Sequence, residues 1–390
     1  MSQFETSAIR TQAEQSQYRE HSVPLYLSSS YTFESAEQMR ALFADEAEGN
    51  IYSRYSNPNT TELIDKLCCM EEAEAGWATA SGMAAVFTSL AALLSAGDHV
   101  VACRSVFGST HQLFTKILPK WGIQHTYVDI NADDEVWIEA ITPETKLIFA
   151  ETPSNPGVEI IDLERLGKLA KAHELLLLID NCFATPYIQK PIRYGADLVI
   201  HSATKYMDGQ GRVLGGLIAG KKELIASVEA FARHSGPAMS PFHAWLLSKS
   251  LETLAIRMDR HSENATKLAN FLEANEAVES VRYPFLKSHP QYKIAKKQMK
   301  LGGGVVSFVI HGGLERGRRF IDALQLASIT ANLGDTRTIV THPASTTHAR
   351  LSEAERLEAG IQAGLIRISA GLETYEDIEN DIKQALIASR

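Results

Sequence analysis

The chain predicts an α/β protein with a mostly parallel sheet, helices on both sheet faces, and a smaller α/β region toward its C-terminal end. Three observations carry this. Between residues 62 and 250 strand-like and helix-like runs alternate. The strand-like runs are continuously apolar rather than alternating, as in "LLLLID" and "DLVI", the pattern of strands buried on both faces. At 390 residues the chain is long enough for two cores.

Taken in order, residues 1–60 are polar and turn-rich, and "EHSVPLYLSSSYTF" and "YSRYSNPNT" read as an extended arm. "ELIDKLCCMEEA" reads as helix, "GWATAS" as strand and residues 83–95 as a buried helix. "DHVVAC" follows as strand, "HQLFTKILPKWG" as helix, then "QHTYVDI" and "TKLIFAETP" as strands. "DLERLGKLAKAHE" places its apolar residues at helical spacing and leads into the strand "LLLLIDNC". "ADLVIHSATK" and "GGLIAG" complete the series. Helical patterning dominates 243–274, and "GGVVSFVI" and "GLIRISAG" read as strands of the tail. The expected division is an arm over 1–60, a large domain over 61–250 and a C-terminal domain over 251–390.

The formal net charge of −9 argues against nucleic acid and gives no reason to expect an anionic membrane as partner. No run reaches the length of a membrane span, since Thr88 and Ser89 interrupt the best candidate. The first residues lack the apolar core of a signal peptide. The four cysteines show no metal-ligand spacing, and Cys68–Cys69 is a poor disulfide. A cytoplasmic protein holding no metal is the expectation.

Chemically pointed residues fall where the strands run out. Asp180 ends "LLLLID", Lys205 follows "DLVIHS", Asn155 follows "LIFAETPS", and Ser81-Gly82 sits between a strand and a helix. In open parallel sheets the ligand crevice lies beyond the carboxyl ends of the strands, so these residues converge there. Singly each has a plain structural explanation: a turn aspartate, a solvated lysine, a helix cap. Together they describe pyridoxal phosphate chemistry. A lysine amine bonds the cofactor aldehyde and carries protons, and an aspartate keeps the ring nitrogen protonated so that the ring accepts electrons. Backbone N–H groups at a helix start receive the phosphate. Gly82 permits close approach there, and the hydroxyls of Ser202 and Thr204 flank Lys205.

"DNCFATP", "HSATKYMDGQG", "YSRYSNPNT", "ATASGMAA", "ETPSNP" and "HPASTTH" resemble the signatures of the Cys/Met-metabolism family of fold-type-I pyridoxal phosphate enzymes, in the family's order across the whole chain. "EHSVPLYLSSSYTFESAEQ", "SVFGST" and "ITANLGDTRT" are most similar to its O-succinylhomoserine sulfhydrylase branch. The resemblance implies a seven-stranded central sheet and pyridoxal 5'-phosphate as cofactor. It implies Lys205 as the Schiff-base lysine and Asp180 as the partner of the ring nitrogen. Ser81, Gly82, Met83, Ser202 and Thr204 would surround the phosphate, and Asn155 would lie near the phenolic oxygen. Tyr52 and Arg54 would reach the cofactor of a neighbouring subunit, with Tyr52 also in a catalytic role. Active-site-sharing dimers would pair into a homotetramer. Arg367 would clamp the substrate carboxylate, with Asn332 beside it.

Three departures bear on activity. Phe107 stands where many relatives have a ring-stacking tyrosine, so stacking survives without the phenol. Ser109 stands where the γ-lyase branch has cysteine, and Asn332 where many relatives have serine. The reaction so implied is sulfide displacement of the acyl group of O-succinylhomoserine, giving homocysteine for methionine biosynthesis. Cystathionine γ-synthase, with cysteine as nucleophile, shares every step, and methionine γ-lyase is the more distant alternative. "SATK" also satisfies Ser-x-x-Lys, the pattern of penicillin-interactive serine enzymes, but no Lys-Thr-Gly occurs and Ser202 ends a strand. "GQGRVLGG" fails as a dinucleotide fingerprint because its third glycine is misplaced.

Overall fold

Runs rich in Val, Ile, Leu and Ala form the strands, as β-branched and bulky apolar side chains do when both sheet faces are covered. The computed structural model describes residues 3–350, 352–358 and 360–390. In chain order the first sheet comprises β1 (Ala75–Thr79), β2 (His99–Cys103), β3 (Gln124–Val128), β4 (Thr145–Glu151), β5 (Leu176–Asp180), β6 (Leu198–Ser202) and β7 (Gly216–Gly220). The seven strands lie in the order β1-β7-β6-β5-β4-β2-β3. Every neighbouring pair is parallel except those made by β7, which runs antiparallel to both β1 and β6.

Successive residues of the central strands bury into opposite cores. Ala102, Phe149, Leu178 and Ile200 share one cluster with the helices Gly82–Leu93 and Lys222–Ser235. Val101, Ile148, Ile179 and Val199 pack on the other face against the helix Leu163–Ala172. Period-2 alternation is therefore invisible in the sequence because both phases are apolar.

A second, five-stranded sheet holds β8 (Val278–Arg282), β9 (Val305–Ile310), β10 (Ser328–Ile329), β11 (Ile339–Thr341) and β12 (Leu365–Ser369), in the order β10-β11-β12-β9-β8. Only its β10–β11 pair is parallel. The helix Leu254–Glu273 and the final helix Tyr375–Ala388 cover it through Leu268, Leu272, Ile382 and Ala385. Before the helix Pro58–Glu71, two short helices, Phe4–Arg10 and Ala36–Phe43, punctuate irregular chain. Phe4 packs on Tyr187 with ring centroids 5.1 Å apart.

One expected helix takes another form. Residues 108–112 are α-helical, Leu113–Ile117 form a π turn and Leu118–Trp121 a 3-10 turn, ending at Gly122 in the left-handed region. Pro119 has no N–H to donate and cannot sit inside a continuous α-helix.

Candidate active site

The carboxyl ends of β4, β5 and β6 carry Glu151, Asp180 and Ser202, and the chain leaving β6 turns at once into Lys205. The Lys205 ammonium donates to Asn332 Oδ1 at 2.6 Å. Burial lowers its pKa; the nearby Cys182 opposes the shift and the Arg367 charge adds to it.

Arg367 lies within β12 and is 5% exposed, so its charge must be met by protein or ligand. Nη1 donates to Asn155 Oδ1 at 2.9 Å, and Nη2 donates to the Asn332 carbonyl at 2.9 Å and to Thr341 Oγ1 at 3.3 Å. Nε is buried with no partner among the described residues. Desolvation brings this guanidinium down to about 10, still fully charged at neutral pH. Lys205, Asn332, Arg367 and Asn155 thus form one connected group, drawn from both sheets.

The helix Gly82–Leu93 points its start at the same strand ends. Ser81 caps it, accepting from the Ala84 N–H at 3.1 Å. A side chain on Gly82 would lie 2.6 Å from Ser202 Cβ, so the glycine lets the helix start close onto β6. Met83 follows, its sulfur 3.8 Å from Thr110 Oγ1. The Thr204 hydroxyl is engaged by Gly215, whose N–H it accepts at 3.1 Å. Ser202 is therefore the hydroxyl nearer the helix start.

Asp180 Oδ1 accepts from the Cys182 N–H at 3.0 Å. Its pKa lies above the usual carboxylate range because burial opposes the charge, against the pull of that N–H and of His201. In-register across β4–β5 is Glu151, which accepts the Phe107 N–H at 2.7 Å. Burial, then the Asp180 charge, raises Glu151 well up. Sequence reasoning missed Glu151 although it opens "ETPSNP", because a strand-end glutamate carries no motif of its own. It also missed the buried Glu71–His201 contact behind the strand.

Phe107 is 42% exposed at the rim. Tyr52 and Arg54 do not join the group around this chain's Lys205. Arg54 stacks on Tyr52 and Tyr55, at 5.4 and 4.8 Å, and bonds the Arg233 carbonyl. Cavities of about 720 and 530 Å³ lie elsewhere, one beside Phe4, Lys190 and Lys300, the other beside Glu74, Lys171 and Lys221. Among the described residues no group of acids, histidines or cysteines could hold a metal ion, and no helix is long and apolar enough to cross a membrane.

The residues present fit pyridoxal phosphate. A buried carboxyl group stands at the end of β5, a desolvated amine follows the next strand end, and a glycine-opened helix start offers N–H donors. A family model for Cys/Met metabolism PLP-dependent enzymes matches residues 5–387. The chain is 47% identical over 385 residues to an O-succinylhomoserine sulfhydrylase of Pseudomonas aeruginosa, covering 99% of this chain and 95% of the relative. It is 42% identical over 387 residues to an L-methionine gamma-lyase of Treponema denticola, covering 98% and 96%. A crystal structure of a putative O-acetylhomoserine (thiol)-lyase from Campylobacter jejuni superposes with a TM-score of 0.95 at 36% identity, covering 99% of this chain and 100% of that one. That structure carries N'-pyridoxyl-lysine-5'-monophosphate at its own position 205. With pyridoxal 5'-phosphate as its cofactor and the fold of these enzymes, the chain belongs to the Cys/Met metabolism PLP-dependent family.

Proposed function

We propose that the protein catalyses γ-replacement on O-succinyl-L-homoserine with sulfide, releasing L-homocysteine and succinate. The observation that carries the reading is the meeting at Asn332, whose Oδ1 accepts from Lys205 at 2.6 Å and whose carbonyl accepts from Arg367 at 2.9 Å. A proton-carrying amine and a carboxylate clamp on either side of one residue suit an α-amino acid. The replacement reaction is supported by relatives named O-succinylhomoserine sulfhydrylase, in Pseudomonas aeruginosa at 47% and Mycobacterium tuberculosis at 45% identity.

Pyridoxal phosphate, when bound, supplies an electron sink for the charge left at Cα. Lys205 would hold the cofactor, then take the Cα proton and return it, desolvation lowering its pKa and so easing loss of the ammonium proton. Asp180 would hold the proton on the ring nitrogen. Arg367 would hold the α-carboxylate, supported by Asn332, while Asn155 steadies the guanidinium. The N–H groups of Gly82 and Met83, with Ser81, Ser202 and Thr204, would receive the phosphate, joined by Tyr52 and Arg54 of a neighbouring subunit. That sharing would make the dimer the minimal active unit, and two such dimers would pair into a homotetramer.

Phe107 favours an ester over a thioether. Succinate departs as a weakly basic carboxylate and needs no proton, whereas a departing thiolate, more basic by about four pKa units, does. A phenylalanine has none to give.

The test compares O-succinyl-, O-acetyl- and O-phosphohomoserine and methionine, each with sulfide and with cysteine. The succinyl ester with sulfide should give the highest kcat/KM, with homocysteine as product. Cystathionine from cysteine at a higher kcat/KM would move the assignment to the γ-synthase. Turnover of methionine alone would move it to the γ-lyase.

A further inference from the structure

Tyr52 and Arg54 lie on irregular chain, and a side chain on such a segment must be ordered before it can receive an anion, at an entropic cost. The turn that carries them is closed locally: the N–H groups of Tyr55 and Ser56 both donate to the Tyr52 carbonyl, at 2.8 and 3.1 Å. One side of it is fixed by Asn57 Nδ2, which donates to Ser53 Oγ at 3.1 Å, and by the Ser53 N–H, which donates to the Ser29 carbonyl at 2.9 Å. The other side rests on the end of the helix Lys222–Ser235.

Inside a helix the Arg233 carbonyl would accept from the N–H four residues on, but residue 237 is proline and has none. Arg54 Nη1 donates to that carbonyl instead, which places a guanidinium at a helix C-terminus, where the dipole favours a cation. The Arg233 side chain reaches the same turn. Its guanidinium carbon lies 4.4 Å from the centre of the Tyr55 ring, and that of Arg54 lies 4.8 Å from the same centre. The helix beneath is itself held firmly. Its Val228 and Ala232 share a core with Ala85 and Leu90 of the helix Gly82–Leu93, and Phe231 meets Phe87 edge-on at 6.2 Å.

Two guanidinium groups on one ring repel each other, and the chain supplies little to offset this. Arg54 has no carboxylate partner among the described residues. The carboxylates beside Arg233, those of Glu229 and Asp45, stand off at 3.7 and 3.8 Å. An anion from outside the chain would complete the arrangement.

We propose that Arg233 is the positioning residue of the arm: with Tyr55 it holds Arg54 ready for the cofactor phosphate of the neighbouring subunit. This rests on Tyr52 and Arg54 serving a neighbour's cofactor, as proposed above. Arg233 touches neither cofactor nor substrate; it lowers the cost of ordering the group that does.

Mixed oligomers test this. Lys205-bearing chains are assembled with a large excess of Lys205→Ala chains, so that each site able to turn yellow takes its arm from a Lys205→Ala chain. The readout is the rate at which the yellow absorbance of lysine-bound cofactor is lost to an excess of trapping apoenzyme. Arg233→Met keeps the apolar stem and removes the charge. Placed on the Lys205→Ala chain it should quicken that loss by about fivefold or more, the size of a cation–ring contact. Placed on the Lys205-bearing chain it should change the rate by less than about twofold, and it should add nothing in a chain already carrying Arg54→Ala. Arg233→Lys, which keeps a cation for the ring, should restore most of the difference. Equal quickening from either placement, or a rate within about twofold of the parent in both, would overturn the proposal. Arg54→Ala on the Lys205→Ala chain separates the two readings. If it is silent, the sharing of the arm fails and the proposal falls with it; if it quickens the loss while Arg233→Met does not, the proposal alone fails. Should Arg233→Met not assemble, Tyr55→Leu placed in the same two ways decides by the same asymmetry.

Discussion

Glu151 and Asp180 are registered partners at the ends of β4 and β5, and burial holds both carboxyl groups above their ordinary pKa. Two such groups side by side do not both ionise near neutral pH; the one with the better-stabilised charge does so first. Asp180 has the Cys182 N–H and His201 favouring its charge, whereas the Asp180 charge opposes that of Glu151, so Glu151 is expected to be the member that keeps its proton. Glu151→Gln, which keeps an oxygen for the Phe107 N–H, should then leave cofactor affinity within about threefold of the parent. Glu151→Ala, which orphans that N–H, should lower stability by about 1–3 kcal/mol in a denaturant titration.

Removing the reactive amine should be absolute. Purified Lys205→Ala should lack the yellow absorbance of the lysine-bound cofactor and lose more than about 10³-fold in turnover, a loss of the size that proton-transfer catalysis supplies. Retained colour and turnover would place the cofactor on another side chain.

Phe107→Tyr restores a phenol at the rim. The ratio of methionine cleavage to succinyl-ester turnover should rise by about tenfold or more, since the acid is useful only to a basic leaving group. An unchanged ratio, measured as kcat/KM for both substrates, would show that residue 107 does not set leaving-group preference.

Gly82→Ala would bring its methyl 2.6 Å from Ser202 Cβ. The helix start must retreat from β6, costing about 1–3 kcal/mol in stability and weakening cofactor binding more than substrate binding. Equilibrium dialysis of the cofactor beside a steady-state KM reads the difference.

Acid lability has a definite source. Burial holds His261 and His289 down to about 4, while unfolded histidine titrates near 6.5. Between those values the unfolded chain binds protons that the native one does not, so stability is present above about pH 6.5 and is lost as the pH falls toward 4. Each group contributes a slope of at most about 1.4 kcal/mol per pH unit. His289→Gln, which can still donate to the Val158 carbonyl, should flatten the fall in denaturant midpoint between pH 7 and 5.

The sheet was legible because its central strands are apolar on both phases, and Lys205, Asp180 and Asn155 stood out because each ends or follows such a run, whereas Arg367 entered through the family resemblance. What sequence could not show is contact between distant segments. Asn332 entered the site only through the family resemblance, and nothing in its own stretch of chain reports that its Oδ1 accepts from Lys205 at 2.6 Å. Glu71 reads as one acid of a charged helix end until the fold buries it against His201. The reversed direction of β7 was equally hidden, for "GGLIAG" is the same apolar run whichever way it is laid. The π turn over Leu113–Ile117 escaped because helical periodicity does not report which carbonyl each N–H finds.

The lysine segment is held from the far end of the polypeptide. Arg257 donates to the Tyr206 carbonyl at 2.6 Å, Tyr206 Oη lies 3.2 Å from Ser369 Oγ, and a side chain on Gly334 would run into the Tyr206 backbone. During synthesis the ribosome delivers residue 205 well before these braces exist. A nascent chain stopped short of β12 should therefore emerge with its first sheet formed but its vitamin-binding end slack, and capture of the coenzyme becomes one of the last events in the protein's birth.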